Sequence, residues 1–78
     1  VTARTVFLFG TWTLAPDQEP DAEPISYAMQ CAVCGSSSDT SEDAAVGQRW
    51  TFQHVGRHPS HHTFRETITR PWRTWMQS

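Results

Sequence analysis

The stretch "CAVCGSSSD", residues 31–39, decides how this chain folds, because it sets Cys31 and Cys34 two residues apart with Gly35 directly behind them. A Cys-x2-Cys turn lets the backbone wrap round one ion and offer it two thiolates, and a residue without a β-carbon after the second cysteine admits the positive φ such a turn demands. A tetrahedral metal then needs two further ligands. All four histidines of the chain lie in one stretch, "HVGRHPSHH", residues 54–62. Thiolate and imidazole together point to one structural Zn2+.

Between the two motifs runs "SSSDTSEDAAVGQRWTFQHVG", residues 36–56, which reads as a helix. Asp39, Thr40 and Ser41 are candidate N-caps; with Asp39 as cap, Glu42 takes the capping-box position and acids fill the first turn, where the helix dipole favours them. Gly56 reads as a left-handed terminator. Val46, Trp50 and His54 recur every four residues on one face, with Ala45 and Phe52 to its sides, so His54 points with Trp50 toward the core. Nineteen residues separate Cys34 from His54, more than the roughly 12–15 of an ordinary finger. For the fourth ligand the reading favours His61, which a chain reversing over residues 57–59 carries past the helix end. His58 is second: His-x3-His is the usual spacing, but Gly56 and Pro59 end the helix too early for a common face. His62 is third.

The strands follow from period-two patterns. Val6, Leu8, Gly10, Trp12 and Leu14 read as one first strand. Residues 15–24, "APDQEPDAEP", form an acidic, proline-rich loop. Ile25, Tyr27, Met29 and Cys31 alternate with polar or small residues and deliver Cys31 to a strand end. "TFRETITR" is the last strand, and residues 72–78 close the chain as a tryptophan- and arginine-bearing segment. The expected architecture is α+β: a single domain over residues 1–78, a zinc-stabilised ββαβ unit of zinc-finger or zinc-ribbon type, with one helix against a short antiparallel sheet. Trp50, Trp12 and Trp72 read as core, and Trp75 falls either way. A chain of 78 residues is near the size at which a hydrophobic core alone supplies only a few kcal/mol. Structural zinc, at about 10–16 kcal/mol in finger peptides, removes that difficulty.

Composition narrows the function classes. The formal net charge of −2 divides unevenly: Arg4 faces seven acids up to residue 48, whereas five arginines face only Glu66 beyond it, and there is no lysine. No run of residues approaches the 18–20 or so apolar residues of a membrane span, and the N-terminal stretch lacks the pattern of a secretory signal. A cytoplasmic location is therefore expected, with no membrane partner and no small-molecule substrate. Two cysteines so close make a poor disulfide framework, since the loop they close is tiny. A thioredoxin-like use of Cys-x2-Cys places the first cysteine at a helix N-terminus after a strand. Here residues 35–38 intervene, so redox chemistry is a remote alternative, and no catalytic residue is assigned.

"CAVCG", Trp50 with His54, "HVGRHPSHHTFRE" and "TRPWRTW" together resemble a group of small actinobacterial zinc-finger-like proteins of uncharacterised function, which carry a Cys-x2-Cys…Trp-x3-His…His-x2-Phe signature. The likeness runs from about Tyr27 to Trp75. It implies Cys31, Cys34, His54 and His61 as the metal set, and does not require histidine at His58 or His62.

Two uses for such a domain come from different classes. In the first it is a non-enzymatic module that binds another protein, since tryptophan and arginine most often anchor interfaces; Trp72, Arg73 and Trp75 are the surface to examine first. In the alternative it binds nucleic acid, with Arg65, Arg70 and Arg73 among the phosphate contacts and a tryptophan stacked on a base. Glu42 and Asp43 at the helix start oppose entry into a major groove. The protein-directed reading is therefore preferred.

Overall fold

The computed structural model describes residues 6–76. Arg4 and the last two residues of the 72–78 segment lie outside that range. The order of elements is β1 (Phe7–Phe9), β2 (Trp12–Pro16), β3 (Ser26–Cys31), α1 (Ala44–Arg57), β4 (Phe64–Thr69) and β5 (Trp72–Met76). One helix with short antiparallel sheets makes the fold α+β. The strands form a three-stranded sheet, β1-β2-β5, and a two-stranded sheet, β3-β4. The chain divides into two compact units, one built from the sequence up to Pro24 together with Arg70 onward, the other from Ile25–Thr69.

In the Ile25–Thr69 unit, β3 pairs with β4 from Ser26↔Thr69 to Cys31↔Phe64. Its other edge is covered by the chain that follows the cysteine turn. Tyr27 and Ser41 exchange backbone hydrogen bonds of 2.7 and 2.9 Å, Met29 O accepts from Ser38 N at 2.8 Å, and Cys31 N donates to Ser36 O at 2.7 Å. This return corrects the expected helix start. Ser41 is still tied to the strand, so the chain stays extended through Asp43 (φ −99°, ψ 111°), which is the N-cap and accepts from Ala45 N through its carboxylate at 2.9 Å. Glu42 consequently lies outside the helix, and the first turn holds no acid.

The other helix end is also later than expected. Gly56 keeps negative φ and stays helical; the stop comes at His58 (φ −133°, ψ 76°), where the following Pro59 excludes helical geometry. The inward face carries the half-buried Val46, Trp50 and His54 as expected, and Phe52 is exposed. Gly47 is the one buried helical residue. A β-carbon there would lie 2.8 Å from Met29 Cγ, so the absence of a side chain lets α1 approach β3.

The other unit departs further from expectation. What reads as one strand over residues 6–14 is a hairpin, with β1 and β2 joined by Gly10 and Thr11 and paired from Phe7↔Leu14 to Phe9↔Trp12. Gly10 has φ +61° at the first central position of a two-residue loop, the place a type II′ turn reserves for glycine. The closing segment is likewise a strand: β5 pairs with β2 from Trp12↔Met76 to Pro16↔Trp72. Trp12 and Trp72, expected in the core, are exposed at 46% and 40%, because two short strand pairs offer too little surface to cover them. The loop after β2 is tied back by Asp17, whose backbone N–H donates to Pro71 O at 3.0 Å and whose carboxylate meets the Arg73 guanidinium at 2.9 Å.

Candidate metal centre

Cys31 ends β3, and its side chain is the only one fully buried among the described residues. Beyond it the backbone turns: Gly35 N donates to Cys31 O at 2.9 Å while Gly35 takes φ +81°, and Gln30 Nε2 donates to Gly35 O at 3.2 Å. The expected Cys34-Gly35 turn is therefore present, and glycine is there because its φ lies in the left-handed region. Ala32 N donates to Thr63 O at 2.9 Å, which ties the turn to the chain entering β4.

His54 comes from the last turns of α1, braced by Trp50 one turn earlier. Their rings stack at 4.9 Å and 18°, and Phe64 meets both edge-on at 6.0 Å. His54 Nε2 then lies 3.5 Å from Cys34 Sγ and 3.4 Å from His61 Nδ1. His61 reaches it because the chain reverses after the helix, with His61 N donating to His58 O at 2.8 Å. One donor atom from each of Cys31, Cys34, His54 and His61 falls within 4.8 Å of the others, a grouping compatible with a metal ion.

His58 and His62 are not in that group. The helix does continue to Arg57, and the His58 ring comes within 4.9 Å of His54 and 5.0 Å of His61. Gly56 therefore does not end the helix, whereas Pro59 stops it at His58 as expected. At the C-cap its backbone has already left the helix, and its ring lies beside the two imidazoles.

Two forces favour deprotonated donors. The Ser36 hydroxyl, 3.3 Å from Cys34 Sγ, together with the Ser36 backbone N–H, holds the Cys34 thiol below its ordinary pKa. Partial burial, then the nearby His58, His61 and Arg57, lowers that of His54. Sequence reading missed Ser36 and also Ser38, whose hydroxyl accepts from Met29 N at 2.9 Å. The only signal for either was a run of three serines, which also reads as an ordinary loop.

The residues considered for a binding surface are divided between the two units. Arg65 belongs to the Ile25–Thr69 unit and lies 3.5 Å from Gln30 Oε1. Arg70 is half-buried, and Arg73 is engaged by Asp17 and, at 2.7 Å, by Asp21. Along β5 successive side chains alternate, so Trp72 lies on one face of the three-stranded sheet and Arg73 and Trp75 on the other. Beside Arg73 and Trp75 is an open cleft of about 620 Å³ whose lining includes Ala15, Asp17 and Glu19. No helix is long and apolar enough to cross a membrane among the described residues.

No curated protein and no solved structure matches the chain. A family model described as a domain of unknown function, DUF7848, matches residues 1–78, and the chain belongs to that family.

Proposed function

We propose that this chain is a non-enzymatic, zinc-stabilised interaction module in which Cys31, Cys34, His54 and His61 hold one structural Zn2+ and the exposed aromatic surface meets another protein. The observation that carries the reading is the convergence of two sulfur and two imidazole donors within 4.8 Å, around the one fully buried side chain among the described residues. Zinc at its usual bond lengths, about 2.3 Å to sulfur and 2.0–2.1 Å to nitrogen, sets tetrahedral edges of about 3.6 Å between S and N and 3.3 Å between two N. The corresponding separations here are 3.5 and 3.4 Å. Thiolate with imidazole also suits zinc better than the hard cations, which take oxygen.

Four protein donors complete a tetrahedron and leave no position for water or substrate, so such a site contributes to folding. Cys31 anchors the site to β3, the Gly35 turn presents Cys34, Trp50 and Phe64 hold the His54 ring, and the reversal after the helix supplies His61. The engagement of Arg73 by Asp17 and Asp21 weighs against the nucleic-acid alternative, which requires arginines free to meet phosphates.

Native mass spectrometry before and after acid denaturation tests the site. One zinc per chain, lost on denaturation with both cysteines as thiols, is the expected result. His61→Ala should abolish retention and His58→Ala should keep it. A metal-free chain lighter by two hydrogens, carrying a Cys31–Cys34 disulfide, overturns the reading and turns the search to redox chemistry. Affinity for mixed DNA or RNA that falls steeply with salt and with Arg65→Ala or Arg70→Ala would replace the protein-directed use.

A further inference from the structure

The register of the three-stranded sheet assigns its side chains to two faces. Directly opposed residues in antiparallel strands share a face and successive residues alternate, so Phe7, Phe9, Trp12, Leu14, Trp72 and Met76 lie on one face. The rings of Phe7 and Trp72, 6.2 Å apart across β2, agree with that assignment. The opposite face carries the buried Thr13 and Ala15, the engaged Arg73 and two exposed apolar residues, Leu8 and Trp75, set apart from one another by Thr13.

The aromatic face is open to solvent. Phe9 is 85% exposed, Met76 59%, Phe7 54%, Trp12 46% and Trp72 40%. No charged residue occupies a position on this face within β1, β2 or β5. At about 150–250 Å² for each aromatic side chain, the exposed parts of these five residues come to roughly 500 Å² of apolar surface. That is toward the upper end of the roughly 300–600 Å² of the largest apolar patch on a monomer, a patch that often marks a binding surface.

We infer that this face is where a second copy of the chain docks. The inference names the partner in the interaction-module reading and rests on that reading for the class of partner; the zinc site is a separate matter. Two arguments select a second copy. A two-fold contact sets the same patch against itself, so two faces remove about 1,000 Å² from these side chains alone, the area at which a specific interface begins. The face also lacks the cations that phosphates or anionic lipid headgroups would need and the carboxylates that a basic partner would need, whereas an identical apolar face requires neither. Two short antiparallel sheets packed face to face, about 10 Å apart, form a small sandwich with the aromatic side chains inside.

Native mass spectrometry and light scattering of the full chain across the micromolar range read dimer and metal in the same sample. The expected result is a concentration-dependent dimer, with Phe9→Glu weakening it by at least about tenfold at an unchanged zinc count. Phe52→Glu, on the exposed side of the helix, should leave the dimer intact, and Phe9→Ser serves if the glutamate variant does not fold. A wild-type chain that stays monomeric with zinc bound overturns the dimer and leaves the metal site standing. A metal-free dimer abolished by Phe9→Glu supports the dimer and overturns the site. A dimer indifferent to both Phe9 variants overturns this face as the contact.

Discussion

The two units solve the problem of a small chain in opposite ways. The Ile25–Thr69 unit converges on Cys31 and three further donor atoms, and its helix packs through a glycine and half-buried side chains. The three-stranded sheet has no such centre: it buries Thr13 and Ala15 and turns its largest aromatic groups outward. One unit gathers four polar donors around the buried Cys31, with Cys34 exposed and His54 and His61 half-buried, while the other leaves apolar surface outside. Burial alone therefore does not show what holds a small fold together; the chemistry of the buried atoms has to be considered with it.

The comparison breaks most visibly if the donors are removed. A strong chelator, or Cys31→Ser, should abolish hydrogen-exchange protection in β3, α1 and β4, because zinc binding is worth about 10–16 kcal/mol in finger peptides. Protection in β1, β2 and β5 measured in the same experiment shows whether the contrast between the units extends to their stability. Retained protection in β3 and α1 after complete chelation would end the metal account.

Acid should act in the same direction. Thiolate and neutral imidazole are the binding forms, so metal retention is complete near neutral pH and falls as pH drops and protons compete for the donors. A chromogenic zinc indicator followed from neutral pH downward reads this directly. Retention that is flat with pH would mean the donors do not hold the metal.

Smaller changes sharpen the contrast. Gly47→Ala should destabilise the Ile25–Thr69 unit by about 1 kcal/mol, because crowding against Met29 outweighs the gain in helix propensity; chemical denaturation measures it. In the other unit, Asp17→Asn should lower the melting temperature more than Asp21→Asn, since the Asp17 side chain is 7% exposed and that of Asp21 is 77% exposed. Smallest is Thr13→Val. The Thr13 hydroxyl is buried and has no hydrogen-bond partner among the described residues, so the change should leave stability equal or raise it by up to about 1 kcal/mol.

How legible each part was in the sequence follows from the range of the interactions that shape it. The cysteine turn, the alternating strand into Cys31, the inward face of α1 and the chain reversal that carries His61 past the helix end were readable because each depends on spacing within a few residues. The helix start was not, because Ser41 is held by Tyr27, a partner 14 positions earlier that only tertiary structure supplies. In the first hairpin Gly10 falls on the apolar parity of Val6–Leu14, which hid a two-residue Gly-Thr loop. β5 escaped because its alternation, tryptophan, arginine, threonine, tryptophan, methionine, puts large apolar groups on both parities. A sheet that keeps aromatic side chains outward gives no clean hydrophobic-polar signal.

The return of the chain along β3 also separates the contacts of this unit into short-range and long-range sets. Residues 27–41 close on themselves through Cys31 N to Ser36 O, Ser38 N to Met29 O and the Tyr27–Ser41 pair, and loops of about ten residues close in roughly 10–100 ns. Pairing of β3 with β4, from Cys31↔Phe64 outward, must span far more chain and bears a larger loop-closure entropy. The thiol pair thus sits on a local hook, whereas the imidazoles come from the helix end and the chain leading into β4; the shorter closure is expected to form first. Folding of this unit would start at the serines, with Ser38 showing high φ-values and Phe64 low ones.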